Sequence, residues 1–469
     1  MIVTLGYAHA RVTEAAGWER RWLEEYLSFT VKRWNGSYTE ERRETVITAA
    51  GGFPAGFLAS VRAQADGDCV RLEVRDARQM PVPGLNIRAM QSTTYWPDWL
   101  RGYQDEGVRK IADFDRGIFR WPTGGGKTSA LVAVCSVIGC RWLVLTHRLT
   151  LVGQLRDSFE KFVGEEVGQI GDGVYEPRRV TVATFDSVRA LQRRKTAGDK
   201  EAKKFLESIG GCFIDEVHVV ASSRNRFVVS HLPRAYYVYG LSATPLDRGD
   251  QKNPLVVGCV GPVIHRARRK ELVQGGYLAE GKIELLPIEH PPAEGTWQDV
   301  YKLRVVRSAA REKLVVRHAK KCAKPALVFV KELEHGRRLE KALRAAGVEV
   351  EWTWGAKKTS ERLAAIRRLV HGNVDVLIAN VIFQEGVDIP SLRTVILAAA
   401  GKSIIAQLQQ LGRGSRVDDD KTTFDVLDVL DLSCGCKGKE HRSCRWFEEH
   451  AKQRKQTYLR EGYSVVVSP

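Results

Sequence analysis

One short segment constrains the fold of this chain more than any other: a glycine-rich turn between an apolar strand and an apolar helix. It reads Pro122-Thr123-Gly124-Gly125-Gly126-Lys127-Thr128. Glycines in such a turn let backbone N–H groups surround phosphates at the start of a helix, while the lysine neutralises charge and the threonine can bind Mg²⁺. Trp121 stands where the general P-loop pattern has its first glycine, so the match is to the shorter T-G-x-G-K-T form. The segment predicts a site for a nucleotide phosphate and Mg²⁺ on a parallel sheet.

Apolar runs alternate with helical stretches in two successive series, which predicts two parallel sheets built from strand-helix-strand units. The predicted strands of the first series are Gly117 to Arg120, Trp142 to Thr146, Val180 to Ala183, Cys212 to Ile214 and Tyr237 to Leu241. Those of the second are Ala326 to Val330, Val348 to Trp352, Val376 to Ala379, Thr394 to Ala398 and Phe424 to Val429. The intervening stretch 277–292 contains Pro287 and the pair Pro291-Pro292, and it is interpreted as a linker.

The first 95 residues differ in pattern from the rest. Short apolar patches there are separated by glycine and proline turn signals, which predicts a small β-rich or α+β domain. Trp18, Trp22 and Tyr26 are four residues apart, as in a helix that packs on a core. The same aromatic residues alternate with basic ones such as Arg20 and Arg21, a pattern that also suits phosphate contact and base stacking. Both interpretations remain open.

Composition narrows the class of protein. The chain has 469 residues, of which 43% are hydrophobic and 28% charged, and this excludes wholesale disorder. With 73 Lys and Arg against 56 Asp and Glu, the net charge of +17 favours a polyanionic partner. Neither a membrane span nor a signal peptide is apparent, so we expect a cytoplasmic protein without a membrane partner. Most of the nine cysteines lie in apolar stretches, as expected of reduced thiols.

A second candidate site lies where the predicted strand Cys212 to Ile214 ends in two adjacent carboxylates, Asp215 and Glu216. A carboxylate at the carboxyl end of a parallel strand can hold Mg²⁺, so Thr128 and Asp215 are the predicted metal ligands. Its neighbour can activate the water that attacks a γ-phosphate. Because surface Asp-Glu pairs are common, the catalytic interpretation depends on the glycine-rich turn upstream.

With these two segments in order, the chain resembles the superfamily 2 DExH-type helicases, whose other motifs can be sought along the sequence. Tyr103-Gln104 resembles the family's adenine-sensing motif, and Thr123 to Thr128 its phosphate-binding motif. The resemblance implies contact with nucleic acid, or coupling of that contact to the ATP site, for Arg148, Thr184, His218, Ser242 and Thr244.

Two further motifs lie in the second series. Gln384 to Pro390 resembles motif V, and the resemblance implies nucleotide contacts for Gly386 and Asp388. Gln409 to Arg416 matches motif VI, Q-x-x-G-R-x-x-R, whose arginines in the family reach the γ-phosphate from the second lobe. The catalytic residues implied by the resemblance are Lys127, Asp215, Glu216, Gln409, Arg413 and Arg416.

The stretches Gly168 to Gly173, Leu241 to Arg248 and Glu271 to Ala279 resemble the branch of this superfamily that holds XPB and the phage UvsW-like branch-migration helicases. The resemblance implies an ATP-dependent DNA helicase or translocase that acts on duplex, fork or junction DNA in recombination, repair or replication-fork processing. Motor motifs contact phosphate and sugar rather than bases, so an RNA helicase or remodeller is an alternative. The same motifs also suit a nucleic-acid sensor or clamp that does not unwind, and a restriction motor subunit, which would need a nuclease partner.

The predicted architecture is therefore α/β, with two tandem RecA-like parallel-sheet domains that form a P-loop NTPase motor core behind a small N-terminal domain. We expect an accessory domain over residues 1–95, a first helicase domain with the ATP-binding motifs over 96–280, and a second helicase domain over 281–435. Residues 436–469 are predicted to form a basic tail.

A cluster of potential metal ligands lies near the C-terminus. Cys434, Cys436, His441 and Cys444 are the residue types of a tetrahedral Cys₃His zinc site. Their spacing departs from the usual C-x₂-C, and this tightness strains simultaneous ligation by the first two cysteines. Zinc binding and a reduced, unliganded loop both remain open.

Overall fold

A computed structural model describes residues 1–34, 39–94, 96–147, 150–248, 250–290, 293, 295–380, 389, 391–401, 423–432 and 442–468. The chain divides into two units, Met1–Pro122 with Gly126–Ala267 and Thr123–Gly125 with Arg268–Pro469. Each unit contains one large sheet whose central strands are parallel. The predicted pair of parallel-sheet α/β cores is confirmed.

The first unit contains fourteen described strands and ten α-helices. The strands are β1 (Ile2–Leu5), β2 (His9–Glu14), β3 (Ser28–Trp34), β4 (Thr39–Thr45), β5 (Gly52–Pro54), β6 (Glu73–Asp76), β7 (Arg116–Arg120), β8 (Trp142–Thr146), β9 (Gly168–Gly171), β10 (Val174–Glu176), β11 (Val180–Thr184), β12 (Gly211–Asp215), β13 (Tyr237–Ser242) and β14 (Val263–Arg266). The helices are α1 (Gly17–Tyr26), α2 (Leu58–Gly67), α3 (Ile87–Met90), α4 (Gly102–Arg109), α5 (Lys127–Ile138), α6 (Thr150–Val163), α7 (Phe185–Thr196), α8 (Lys200–Ser208), α9 (Ser223–Ser230) and α10 (Asn253–Val260).

The large sheet of this unit has the order β10-β9-β11-β8-β12-β13-β7-β14. Its central strands are buried along their lengths, and every residue of β13 is buried. Helices cover both faces of such a sheet, which explains why its strands appear in the sequence as continuous apolar runs rather than as alternating patterns. Because β7, β12 and β13 are parallel neighbours, their carboxyl ends meet at one edge.

The N-terminal region is a mixed α/β element, as predicted. Its four-stranded sheet has the order β5-β2-β1-β6, and β3 and β4 form a separate antiparallel ribbon. In α1, Leu23 is buried but Trp18 is 55% exposed. Trp22 stacks on Tyr26 and donates its Nε1 hydrogen to Asp68, 2.8 Å away. Tyr26 is also exposed, and of the three aromatic residues only Trp22 is half-buried. The packing interpretation therefore fits Trp22 rather than all three aromatic residues, and phosphate contact and base stacking stay a prediction.

This N-terminal region packs tightly against α10 of the same unit. A Cβ on Gly56 would lie 2.2 Å from the carbonyl oxygen of Val257, and one on Gly258 would lie 2.4 Å from the Phe57 ring. The buried Arg116 donates to the carbonyl oxygens of Tyr7 and Ala235. Arg78, whose side chain is 3% exposed, pairs with both Asp76 and Asp115. Backbone and side-chain contacts therefore join the first 95 residues to the large sheet.

We expect Gly56→Ala to destabilise the protein by about 1 to 3 kcal/mol, because the added methyl group collides with backbone that cannot move without disturbing α10. The matched control is Gly67→Ala in α2, where a Cβ meets nothing within 4 Å. Denaturant unfolding of both variants measures the difference. Equal stability of the two variants would mean that α10 can move away from the added methyl group without loss of folding free energy.

The second unit contains seven described strands and six α-helices. The strands are β15 (Glu280–Ile288), β16 (Ala326–Phe329), β17 (Val350–Thr353), β18 (Val376–Ala379), β19 (Thr394–Leu397), β20 (Thr423–Asp431) and β21 (Ser464–Val467). The helices are α11 (Arg269–Gln274), α12 (Trp297–Tyr301), α13 (Ala309–Lys321), α14 (Leu333–Ala345), α15 (Thr359–Val370) and α16 (Arg442–Arg460). The sheet has the order β17-β18-β16-β19-β20-β15-β21, and its described pairs are all parallel.

The interpretation of residues 277–292 as a linker is wrong, because β15 lies inside this sheet between β20 and β21. Ile283 is buried there between Lys282 and Glu284, and Leu285 is buried beside Glu284. The strand continues through Pro287, and the pairing of β15 with β21 explains why. Leu285 accepts a hydrogen bond from Ser468 on the β21 side, and Pro287, two residues on, faces the same side beyond the last residue paired with β21. Its missing N–H therefore removes no bond between these strands.

Among the described helices, none combines the length and the apolar character that a membrane-crossing segment needs.

Candidate nucleotide-binding site

The glycine-rich loop lies between β7 and α5, as the sequence predicts. Gly124 and Gly126 have φ angles of 82° and 70°, a left-handed conformation that favours glycine. Lys127 and Thr128 occupy the first turn of α5, where backbone N–H groups have no partner within the helix. The loop thus presents a lysine, a hydroxyl group and a helix N-terminus together, a combination suited to phosphate.

The acidic pair lies at the carboxyl edge of the same sheet. Asp215 ends β12, and Glu216 follows with φ of 50°, an uncommon conformation for a residue with a side chain. Lys127 Nζ lies 2.6 Å from Glu216 Oε1, and the two side chains are only 14% and 15% exposed. The structure therefore brings together two residues that are 89 positions apart in sequence.

The two carboxyl groups have opposite electrostatic environments. Burial, followed by the neighbouring Glu216 carboxylate, raises the pKa of Asp215 to about 6. Burial also acts to raise the pKa of Glu216, but the Lys127 ammonium and the His218 ring outweigh it and hold that pKa below its ordinary value. Asp215 thus lies where negative charge is poorly compensated. An oxygen-donor set of Thr128 and Asp215 there fits Mg²⁺, whose charge would compensate that carboxylate.

Ser242, at the end of β13, connects this pair to the next predicted motif. Its hydroxyl donates to Glu216 Oε2 at 2.9 Å and accepts from the Thr244 backbone N–H at 3.2 Å. His218 Nδ1 lies 3.2 Å from Ser242 Oγ and 3.5 Å from Glu216 Oε2. The carbonyl oxygen of His218 in turn accepts from Arg248. Glu216 is therefore contacted by residues from the first turn of α5, from β13 and from its own loop.

Tyr103 and Gln104 lie on α4 beside the loop. Gln104 is 3% exposed, and its Oε1 accepts from the Arg101 backbone N–H at 3.0 Å. A Cβ built on Gly126 would lie 2.1 Å from Gln104 Nε2, so the amide group rests directly on the loop. The position predicted to sense adenine is thus adjacent to the predicted phosphate site.

Thr184 has a local structural role. It ends β11 and caps α7, where its side chain accepts from the Ser187 backbone N–H at 3.2 Å. Its predicted contact with nucleic acid stays a prediction. The sequence assigns no individual role to His265, which bonds Trp121, or to Arg248, which bonds the His218 carbonyl oxygen, because both act through partners that are distant along the chain.

Several predicted site residues lie outside the described residues, and their roles stay predictions. They are Arg148, Gly386, Asp388, Gln409, Arg413, Arg416, Cys434, Cys436 and His441. Cys444 falls in α16, but its side chain is not among those described. No group of three or more potential metal-ligating side chains occurs in the described part of the chain.

Two family models match this chain. The model described as the res subunit of type III restriction enzymes matches residues 99–247. The model described as the helicase conserved C-terminal domain matches residues 309–418. The first match spans the P-loop and acidic pair, and the second spans the predicted motifs V and VI.

Curated relatives of this chain include DNA translocases and helicases. The chain is 27% identical over 365 residues to the DNA 3'-5' translocase XPB2 of Sulfurisphaera tokodaii, covering 68% of this chain and 79% of that protein. It is 24% identical over 400 residues to the ATP-dependent DNA helicase uvsW of Enterobacteria phage T4, covering 79% of this chain and 76% of that protein. Across five such relatives the chain spans between 50% and 79% of the relative's length.

Solved structures show the same fold. The ATP-dependent type ISP restriction-modification enzyme LlaBIII bound to DNA matches with a TM-score of 0.58 at 14% identity, over 88% of this chain and 34% of that one. Dbp5 of S. cerevisiae bound to RNA and ADP BeF3 matches with a TM-score of 0.52 at 16% identity, over 82% and 94% of the two chains. The predicted tandem RecA-like domains are confirmed.

Proposed function

We propose that this chain, which belongs to the superfamily 2 helicases and is of the XPB and UvsW type, is an ATP-dependent translocase or helicase that acts on DNA. The observation that carries the proposal is the contact between Lys127 and Glu216 at the carboxyl edge of the first large sheet. It joins the P-loop lysine to the carboxylate next to the predicted metal ligand. The arrangement places a cation for the phosphates beside a carboxylate that can act as a base, as nucleotide hydrolysis requires.

In the proposed mechanism, Lys127 leaves Glu216 when ATP binds, because the phosphates offer the ammonium a stronger anionic partner. Glu216 is then free to accept a proton from the attacking water. Thr128 and Asp215 would hold Mg²⁺, which neutralises charge on the phosphates when bound. Ser242 senses the change, since its hydroxyl group bonds the same carboxylate through Oε2.

DNA is the proposed polymer because the relatives XPB2 and uvsW are named as a DNA translocase and a DNA helicase. The net charge of +17 is consistent with a phosphate backbone as partner. The proposed contact or coupling residues are Arg148, Thr184, His218, Ser242 and Thr244. Gln409, Arg413 and Arg416 are proposed to complete the ATP site. Duplex or branched DNA is the proposed substrate form.

Steady-state ATP turnover tests this assignment. The purified chain is compared without polymer and with single-stranded DNA, duplex DNA, a four-way junction and RNA, all at one salt concentration because such binding is salt-dependent. We expect the largest stimulation from duplex or junction DNA. Stimulation by RNA alone would favour an RNA helicase. Stimulation by DNA without strand or triplex displacement would favour the sensor or clamp.

Zinc binding at the cluster that contains Cys434 and His441 remains a prediction. Metal analysis of the purified chain is expected to find about one equivalent of zinc if all four residues bind it. A content below about a tenth of an equivalent would favour the reduced, unliganded loop.

A further inference from the structure

Trp121, the residue that departs from the general P-loop pattern, is built into the site. It is fully buried at the end of β7, and its backbone N–H donates to the Ser242 carbonyl oxygen at 3.2 Å. Its ring packs edge-on against Tyr103, with 5.5 Å between centroids. Its Nε1 lies 2.9 Å from His265 Nδ1. Trp121 therefore contacts α4 and β14 through its ring and β13 through its backbone.

The hydrogen bond fixes the state of the imidazole. An indole N–H can only donate, so His265 Nδ1 must accept and carries no proton. The remaining ring nitrogen, Nε2, lies 3.8 Å from Glu106 Oε1 on α4. His265 thus bonds Trp121 with one nitrogen and directs the other toward the helix that carries Gln104.

The rings of Trp121 and His265 pack directly against the backbone of α4. A Cβ on Gly107 would lie 2.7 Å from Trp121 Cζ2 and 2.9 Å from His265 Nδ1, so the helix backbone rests directly on the two rings. At the other contact, Gln104 lies against Gly126 of the loop. The distance between α4 and the P-loop is therefore set at two points, and the Trp-His pair makes one of them.

We propose that Trp121 and His265 are positioning residues that place Gln104 for recognition of the nucleotide base. The proposal rests on the proposed function, since it assumes that ATP occupies the P-loop. A change in the distance between α4 and the Trp121 and His265 rings shifts the Gln104 amide relative to the base. It leaves Lys127 and Glu216 in place. Loss of the pair therefore affects base selection more than phosphate chemistry.

The test compares ATP with GTP in both binding and DNA-independent hydrolysis. In Trp121→Phe, which keeps a ring but removes the donor, we expect KM for ATP to rise about tenfold and the preference for ATP over GTP to fall by a similar factor. kcat changes by less than KM. His265→Leu is expected to behave alike, whereas His265→Asn restores the preference, because its Oδ1 can accept from the indole.

Trp142→Phe is the matched control. Trp142 is also fully buried, in the neighbouring strand β8, and its Nε1 has no hydrogen-bond partner among the described residues. It is expected to keep the wild-type preference even if its melting temperature falls. Gly107→Ala, which pushes α4 away from the rings, should instead lose the preference.

Two outcomes would overturn the proposal: an unchanged ATP preference in Trp121→Phe and His265→Leu, or a wild-type chain that binds ATP and GTP equally. Failure of the proposed function has a different signature. It would show as a wild-type chain that hydrolyses no nucleotide in the presence of any polymer, whereas selective binding of ATP can be measured without DNA.

Discussion

Replacing Lys127 with alanine is expected to lower DNA-stimulated ATP hydrolysis by about a thousandfold or more, because the transition-state charge on the phosphates loses its cation from the P-loop. The side chain lies at the start of α5 and has little exposure, so no solvent cation can take its place with the same geometry. Steady-state turnover with saturating ATP and DNA measures the effect.

The control for this variant is Lys204→Ala, an exposed lysine of α8. It removes the same charge and should leave turnover close to wild type. Because loss of Lys127 also leaves the Glu216 carboxylate without its nearest cation, thermal unfolding should be recorded for both variants. Normal turnover in a folded Lys127→Ala protein would refute the assignment of the ATP site.

Glu216→Gln is expected to separate binding from hydrolysis. The amide cannot accept a proton from water, so kcat should fall by about a hundredfold or more. It also no longer holds Lys127 by charge, which leaves the ammonium free for the phosphates. ATP should therefore bind at least as tightly as in the wild type. Displacement of a fluorescent nucleotide gives the affinity, and single-turnover hydrolysis gives the chemical step.

Glu165→Gln is a suitable comparison, since it neutralises a carboxylate that pairs with Arg179 elsewhere in the same unit. That variant should keep both affinity and turnover. Weaker ATP binding in Glu216→Gln, together with normal hydrolysis, would contradict the mechanism in which the Lys127 contact is exchanged for phosphate.

Much of the fold is predictable from the sequence because the buried parallel strands have few polar residues. Trp142–Thr146 and Val376–Ala379 begin and end where the apolar runs do. The strand Glu280–Ile288 is not predictable in this way, because its proline and its exposed charges resemble a linker, and only its place between two other strands explains it. Local pattern does not report which strands become neighbours.

In the candidate site, too, some features are predictable from the local sequence and others depend on partners far along the chain. Asp215 and Glu216 could be predicted because they end an apolar strand downstream of the glycine-rich turn. The contact of Trp121 with His265 could not, because the two residues are 144 positions apart and neither has a local signal. In the sequence Trp121 counts only as a departure from a pattern. In the structure it has a partner that fixes its side chain.

The contact of the first 95 residues with α10 bears on how this protein can diversify. The recognisable motifs begin near Tyr103, but Gly56 and Phe57 pack on Val257 and Gly258, and Arg116 donates to the Tyr7 carbonyl oxygen. Exchange of the N-terminal region between homologous genes would join an N-terminal surface to an α10 surface with which it has not coevolved. The two parts are therefore expected to be inherited as one unit, with compensating substitutions on both sides of the contact.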